Sequence, residues 1–343
     1  MLSAVLTRPN TFEMRETEIP AFGPDEVLLR IRQAGICGSD MQMYHGKHQH
    51  LKMPQVIGHE CVATVEAIGS RASESALYPF SEGQRVTVYP QIGCSSCPSC
   101  RAGRPNLCKS QKFAGLHRPG FFQEFAVMPA WNIHPLPSTL SDDLAMLVEP
   151  TAVAAHVLRI GGITGSSRVV VIGAGAIGHL VTELSHGIGA KVMAVESLLN
   201  RAAAVRTAGA DAVYAGPLDG FSDAVTETFG EDGATVFVIS RAVASDLNTI
   251  LHGVTNAATV VIVGNYKEPA TVDWTLIERR ELVVKGSLQY VRDDFVKAID
   301  YLEKGLVDPD AVITHSYPFE KLSEAFRFID ANYGDVLKVA VEF

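Results

Sequence analysis

The stretch that most restricts the fold is Arg168–Gly173, a Val/Ile strand that runs straight into Gly173-Ala-Gly175-Ala-Ile-Gly178 and from there into a helix over Ala176–Gly187. A second strand, Lys191–Glu196, follows, so strand, glycine turn, helix and strand make a βαβ unit. Further strands at Thr235–Ser240 and Thr259–Val263, separated by helical segments, continue the alternation of a parallel sheet with helices on both faces.

Each glycine of the turn has a physical role. Gly173 permits the tight bend, Gly175 lets the backbone approach a pyrophosphate, and Gly178 lets helix and strand pack. The helix start at Ala176 and Ile177 faces the anion. Glu196 ends the second strand, where a carboxylate accepts hydrogen bonds from adenosine ribose hydroxyls and repels a 2′-phosphate. Arg201, five residues on, reads as a surface or adenine-edge residue. NAD is therefore expected over NADP, and Gly264 and Ser287 complete the expected cofactor-binding set.

A chain of 343 residues exceeds what one core normally serves, so two domains are expected. Before Pro150 the texture is β-rich: Glu26–Arg32, Glu60–Gly69 and Arg85–Tyr89 are short apolar runs punctuated by Gly, Pro and Ser. The fold class is α/β, a β-rich domain over 1–150 joined to a doubly wound parallel-sheet domain over 151–287, with helices expected at Thr151–Arg159, Arg292–Gly305 and Phe319–Asn332.

Within the β-rich part, residues 93–108 lack either periodicity and contain Cys94-x-x-Cys97-x-x-Cys100-x(7)-Cys108. Four soft ligands in a lobe with almost nothing apolar to bury match a tetrahedral Cys₄ zinc site. Because thiols fill all four positions, that zinc holds structure and performs no chemistry.

Other candidate ligands are scattered: Cys37 in Gly35-Ile-Cys-Gly-Ser-Asp40, His59 and Glu60 in Gly58-His-Glu-Cys61, and Glu149 in Val148-Glu-Pro150. Taken singly, each reads more naturally as an ordinary core or surface residue. A net charge of −9 without a cluster of Lys and Arg argues against a nucleic-acid surface. Met1–Glu13, carrying Arg8 and Glu13 and broken by Pro9, resembles neither a signal core nor a membrane span, so no membrane partner and a cytoplasmic location are expected.

Taken in order, Cys-Gly-Ser-Asp, Gly-His-Glu, the four-cysteine lobe, Glu-Pro and Gly-Ala-Gly-Ala-Ile-Gly make the sequence resemble the zinc-containing medium-chain alcohol dehydrogenases over nearly its whole length. The resemblance implies a GroES-like catalytic domain over 1–150, a Rossmann domain over 151–287, and a segment 288–343 that returns to the catalytic domain. It implies catalytic zinc held by Cys37, His59 and Glu149, with Glu60 a part-time ligand. Glu149 in place of a second cysteine resembles the polyol, sugar-acid and threonine dehydrogenase branch.

The implied chemistry is hydride transfer from a zinc-activated secondary hydroxyl to NAD. Ser39 would relay the proton and Asp40 would stand behind the ligands. Gln42 occupies a position where many relatives carry histidine, which leaves His45 as the candidate outer relay. Gly115-Leu-His117-Arg-Pro-Gly120 resembles hexonate dehydrogenases, with His117 and Arg118 as candidate contacts to a substrate carboxylate. Arg118–Phe125 and Asp273-Trp-Thr275 also resemble L-threonine 3-dehydrogenase. A homotetramer or homodimer built partly through the edge of the cofactor-domain sheet is implied. A non-catalytic zinc and NAD protein on the same scaffold is the alternative of another class, and Cys37, His59 and Glu149 together argue against it.

Overall fold

The computed structural model describes all 343 residues, which cluster into two compact units. The first comprises Met1–Glu149, Val291–Glu303 and Ile313–Phe343, and the second Pro150–Tyr290 and Lys304–Val312. Residues 288–343 are thus divided between the two.

The first unit is built on a sheet in the order Ile313–Pro318, Lys338–Glu342, Glu26–Ile36, Glu60–Ile68, Arg85–Val88 and Ile133–Pro135, with Phe125–Pro129 also paired to Glu26–Ile36. Its long central strand buries nine of its eleven positions to some degree, and Leu29, Ile31, Val65, Phe121, Phe122 and Phe326 pack into one core. The register of this strand with Glu60–Ile68 sets Gly35 opposite Glu60. That single pairing brings the end of one strand, and the turn after it, beside the start of the other.

The second unit holds a six-stranded parallel sheet in the order Ala212–Tyr214, Lys191–Val195, Arg168–Ile172, Val236–Ile239, Thr259–Ile262 and Val283–Gly286. The three central strands are almost wholly buried, as their unbroken Val/Ile composition requires of a sheet covered on both faces. The outermost strand, Val283–Gly286, is exposed along its whole length.

Helix boundaries depart from expectation in instructive ways. The helix expected from Thr151 starts at Val148 and runs to Gly161, because Pro150 sits in its first turn, where a missing amide hydrogen costs nothing. Phe319–Lys321 forms a tight 3₁₀ turn before the α-helix Leu322–Ala331. No helix is long and apolar enough to cross a membrane.

Candidate metal centre and dinucleotide turn

Cys37 closes the strand Glu26–Ile36 and caps the short helix Gly38–Tyr44, which turns because Asp40 Oδ2 accepts the Cys37 amide at 2.9 Å. The other oxygen, Asp40 Oδ1, accepts the Gly58 amide at 3.2 Å. Gly58 has φ +96°, and the Phe122 ring lies 3.1 Å from where a Cβ would stand, so only glycine fits there. The buried Asp40 therefore ties the cysteine turn to the histidine turn.

His59 and Glu60 emerge from that tie. One ligand atom each of Cys37, His59 and Glu60 lies within 4.8 Å of the others. His59 Nδ1 is 3.4 Å from Asp40 Oδ1, its Nε2 is 3.5 Å from Ser39 Oγ, and its ring packs against Phe113 at 5.4 Å. With one ring nitrogen turned to a carboxylate, the other is oriented toward the ligand set, the usual arrangement behind a metal-bound imidazole. Burial works against a proton on His59, but Asp40 and then Cys37 outweigh it, and the pKa stands well above the ordinary imidazole range. The pocket carries an excess of negative groups that a cation relieves.

The partner that sequence reading missed is Lys338. Its Nζ donates to Glu60 Oε1 at 2.6 Å and Oε2 at 2.8 Å, with both side chains buried. Burial opposes charge on this lysine, yet Glu60, Cys37 and Glu149 together raise its pKa. The signal was present in the sequence as one lysine inside the apolar tail Val336–Val341.

Glu149 is buried and bears on Lys338 electrostatically, but its oxygens lie outside the close three-residue set. The resemblance implies Glu149 beside Cys37 and His59 with Glu60 in a part-time role; in this structure Glu60, carried by the strand paired to Gly35, is the carboxylate within 4.8 Å of both. A Cβ at Gly35 would fall 2.0 Å from Glu60 Oε2, so glycine there gives this carboxylate its room.

Two other expected site residues, His45 and Arg118, are engaged elsewhere. His45 spends Nδ1 on Asn10 at 2.8 Å and Nε2 on Asp330 at 3.0 Å, so it meets no member of the metal set. Arg118 directs Nη2 to Glu26 at 3.3 Å and to the Val127 carbonyl at 2.9 Å, bracing a strand edge. Arg201, expected at the surface or an adenine edge, is buried, with Nη1 3.7 Å from the Cβ position of Gly175. His117 is exposed, its amide bonded to Phe113 O at 2.9 Å.

The four-cysteine lobe is stapled by the short hairpin of Gln91–Ile92 with Lys112–Phe113. The four sulfurs lie within 4.8 Å of one another, and Cys94 and Cys100 are 4.0 Å apart. Zinc–sulfur bonds of about 2.3 Å in a tetrahedron require about 3.8 Å between sulfurs, so the cage has the dimensions of the ion. Amides of Cys97 and Cys100 point at Cys94 and Cys97 sulfurs at 3.3 and 3.4 Å. Hydrogen bonds from Ser96, first its hydroxyl, and from Cys97 pull Cys94 down to about 5, whereas burial and then its sulfur neighbours push Cys100 up to about 12. One thiolate forms readily and the next resists, which is the condition a divalent cation resolves.

In the second unit, Gly173 has φ +94° and a Cβ on it would meet the Arg241 amide at 3.0 Å. A Cβ on Gly178 would lie 1.9 Å from Gly173 O, while Gly175, at the helix cap, is open toward its ligand side. Glu196 Oε2 accepts the Ala174 amide and Oε1 the Leu198 amide, both at 2.9 Å, which fixes the carboxylate beside the turn. Ser287 donates its amide to Ile262 O, and its buried hydroxyl has no partner; Gly264 follows Thr259–Ile262 with no space for a side chain. These residues line the carboxyl ends of parallel strands, where dinucleotides bind in such sheets.

Comparison with known proteins matches two family models. Residues 23–138 match the alcohol dehydrogenase GroES-like domain and residues 176–304 the zinc-binding dehydrogenase domain. The chain is 27% identical to L-galactonate-5-dehydrogenase of Escherichia coli K12 over 99% of its length and 98% of that protein. It is 30% identical to L-threonine 3-dehydrogenase of Photobacterium profundum, with 91% of each covered. The crystal structure of the RspB alcohol dehydrogenase of E. coli CFT073 with NADH superposes with a TM-score of 0.92 at 30% identity, covering 100% of this chain and 99% of that one.

Proposed function

The chain belongs to the zinc-dependent medium-chain alcohol dehydrogenases, on their polyol and sugar-acid branch, and from that premise we propose that it oxidises a secondary hydroxyl of a sugar acid or polyol. It is a zinc-dependent, NAD-linked dehydrogenase. The observation that carries the reading is the convergence of Cys37, His59 and Glu60 within 4.8 Å, with the Ser39 hydroxyl 3.5 Å from His59 Nε2.

Zinc supplies Lewis acidity toward an alcohol, and NAD accepts the hydride. The chain's residues do the rest. Cys37, His59 and Glu60 would hold the ion. Ser39 would accept the proton of the substrate hydroxyl while handing its own to solvent water, because its hydroxyl both donates and accepts. Asp40 faces the imidazole of His59 at 3.4 Å and keeps it in register, and Lys338 holds the Glu60 carboxylate in place through a buried ion pair. Glu149 adds negative charge beside Lys338 and would be a further carboxylate available to the ion. Cys94, Cys97, Cys100 and Cys108 hold the structural zinc. Gly173, Gly175, Gly178 and Glu196 receive NAD, with Arg201 at the phosphate turn.

L-galactonate 5-dehydrogenase and L-threonine 3-dehydrogenase, by name, act on molecules that pair a secondary hydroxyl with a carboxylate. Glu149-Pro150-Thr151 favours the sugar-acid side, with L-threonine as the second reading. Homodimers or homotetramers would form in part through the exposed edge strand Val283–Gly286, and a monomer mass by light scattering would remove that element. Reduction of NAD should be screened against hexonates, hexitols, L-threonine and simple alcohols. Turnover of L-threonine alone moves the substrate to the second reading, and turnover of none refutes the proposal.

A further inference from the structure

The protein carries a net charge of −9, yet residues 46–57 and 111–119 contain no acidic side chain. The first holds Lys47, His48, His50 and Lys52, the second Lys112 and His117, together with Arg118, which is already spent on Glu26. Two basic segments in an acidic chain are either scattered solvated loops or one surface. Their backbones decide between these.

Gln55 Nε2 donates to Leu116 O at 3.3 Å, the Gly120 amide to Val56 O at 2.8 Å, and the Phe121 amide to Gly58 O at 3.1 Å. Cβ atoms on Gly115 and Gly120 would stand 2.6 and 2.2 Å from Gly58 O, so the loops touch main chain to main chain and cannot drift apart. Gly58 directly precedes His59, and the Phe113 ring, whose carbonyl takes the His117 amide, packs on the His59 ring. The rim is thus bolted to the metal set.

On this rim the His50 amide donates to His48 Nδ1 at 3.4 Å, and the two rings meet edge to face at 6.1 Å. His48 lies in the electrostatic reach of His50, His117, Asp40 and His59, and His117 in that of His50 and Lys112. Burial first, and then the neighbouring imidazoles and, for His117, Lys112, hold His48 and His117 below the ordinary imidazole range, while Asp40 pulls His48 the other way. Two loops joined main chain to main chain, carrying three imidazoles and no carboxylate, offer an anion hydrogen bonds from several rings at once.

We propose that His48, His50 and His117 receive the anionic end of the substrate and make the enzyme selective for hydroxylated chains ending in a carboxylate or phosphate over neutral polyols. The proposal rests on the dehydrogenase reading above and replaces Arg118 with His48 and His50 beside His117.

The test uses zinc-loaded enzyme with NAD and sets of equal configuration: a hexonate, its hexitol and the hexitol phosphate. Wild type should favour an anionic member, and whether carboxylate or phosphate leads identifies the source of the anion. In the His48→Gln/His117→Gln double variant, kcat/KM on the anion should fall roughly 10- to 100-fold more than on the hexitol, mainly through KM, as expected for lost charge-assisted hydrogen bonds. His117→Arg should restore part of the preference, which a merely structural role does not allow. Equal turnover of anion and hexitol by wild type, or equal losses in the variant, would overturn the proposal while leaving the dehydrogenase reading intact. If no member turned over, that reading fails, and calorimetric binding of the hexonate and hexitol to the NADH-loaded enzyme judges the rim separately: equal affinities overturn it.

Discussion

Replacing Lys338 with Met is the sharpest probe of how the site is held. The ammonium lies 2.6 and 2.8 Å from the two oxygens of Glu60, and the two side chains are 3% and 0% exposed. Met fills much of the same volume, so the change mainly strands a buried carboxylate beside Cys37 and Glu149. Breaking one partner of a buried pair costs about 3–5 kcal/mol. In a unit of this size that is roughly 6–20 °C of melting temperature. The loss should be large in chelator-treated protein and smaller with zinc, because the cation replaces the ammonium as partner to Glu60. Glu60→Gln in the Lys338→Met background should recover much of the stability, since no stranded charge is left. Thermal melts of the four proteins, each with and without zinc, read both effects as a double-mutant cycle. A Lys338→Met cost below about 1 kcal/mol, the size of an exposed pair, or a loss unaffected by zinc, would refute the assignment of Lys338 as the holder of Glu60.

Other perturbations separate the remaining parts. Cys37→Ser should abolish turnover and remove about one zinc per chain with the fold retained, whereas Cys97→Ser should mainly lower thermal stability, because the lobe has little else to hold it; metal analysis and melting curves check both, and a folded Cys97→Ser protein of normal stability but no turnover would contradict this division. His134 is pushed down to about 3 by burial and by Arg292, whose Nη1 bonds its Nε2 at 2.8 Å. Because the folded state holds this imidazole neutral while the unfolded chain protonates near 6.5, stability should be full above about 6.5 and decline by up to one proton's slope as the pH falls toward about 3. His134→Gln should flatten that slope in urea titrations across the window; an unchanged slope counts against the linkage. Glu196→Ala should raise KM for NAD and narrow the preference over NADP, read from initial rates with each nucleotide, and an unaltered ratio would free Glu196 from that role.

What the sequence settled by itself lies close together along the chain. The glycine turn places Gly173, Gly175 and Gly178 within six residues, and the cage sulfurs span Cys94 to Cys108. Over such distances backbone sterics and short loops leave few geometries, so residue spacing carries the chemistry. The alternation of apolar strands and helices likewise made the parallel sheet legible, because burial on both faces demands continuous Val and Ile.

Tertiary structure decided whatever depends on how strands and loops meet. Cys37, His59 and Glu60 join only through the register that sets Gly35 opposite Glu60, and Lys338 reaches Glu60 from 278 residues away. Which carboxylate lies nearest Cys37 and His59, and where His45 and Arg118 spend their polar atoms, are choices between equally plausible side chains. A pairing register fixes those choices to within a few ångströms, and no local pattern records it, because each partner sees the others only after the sheet has formed.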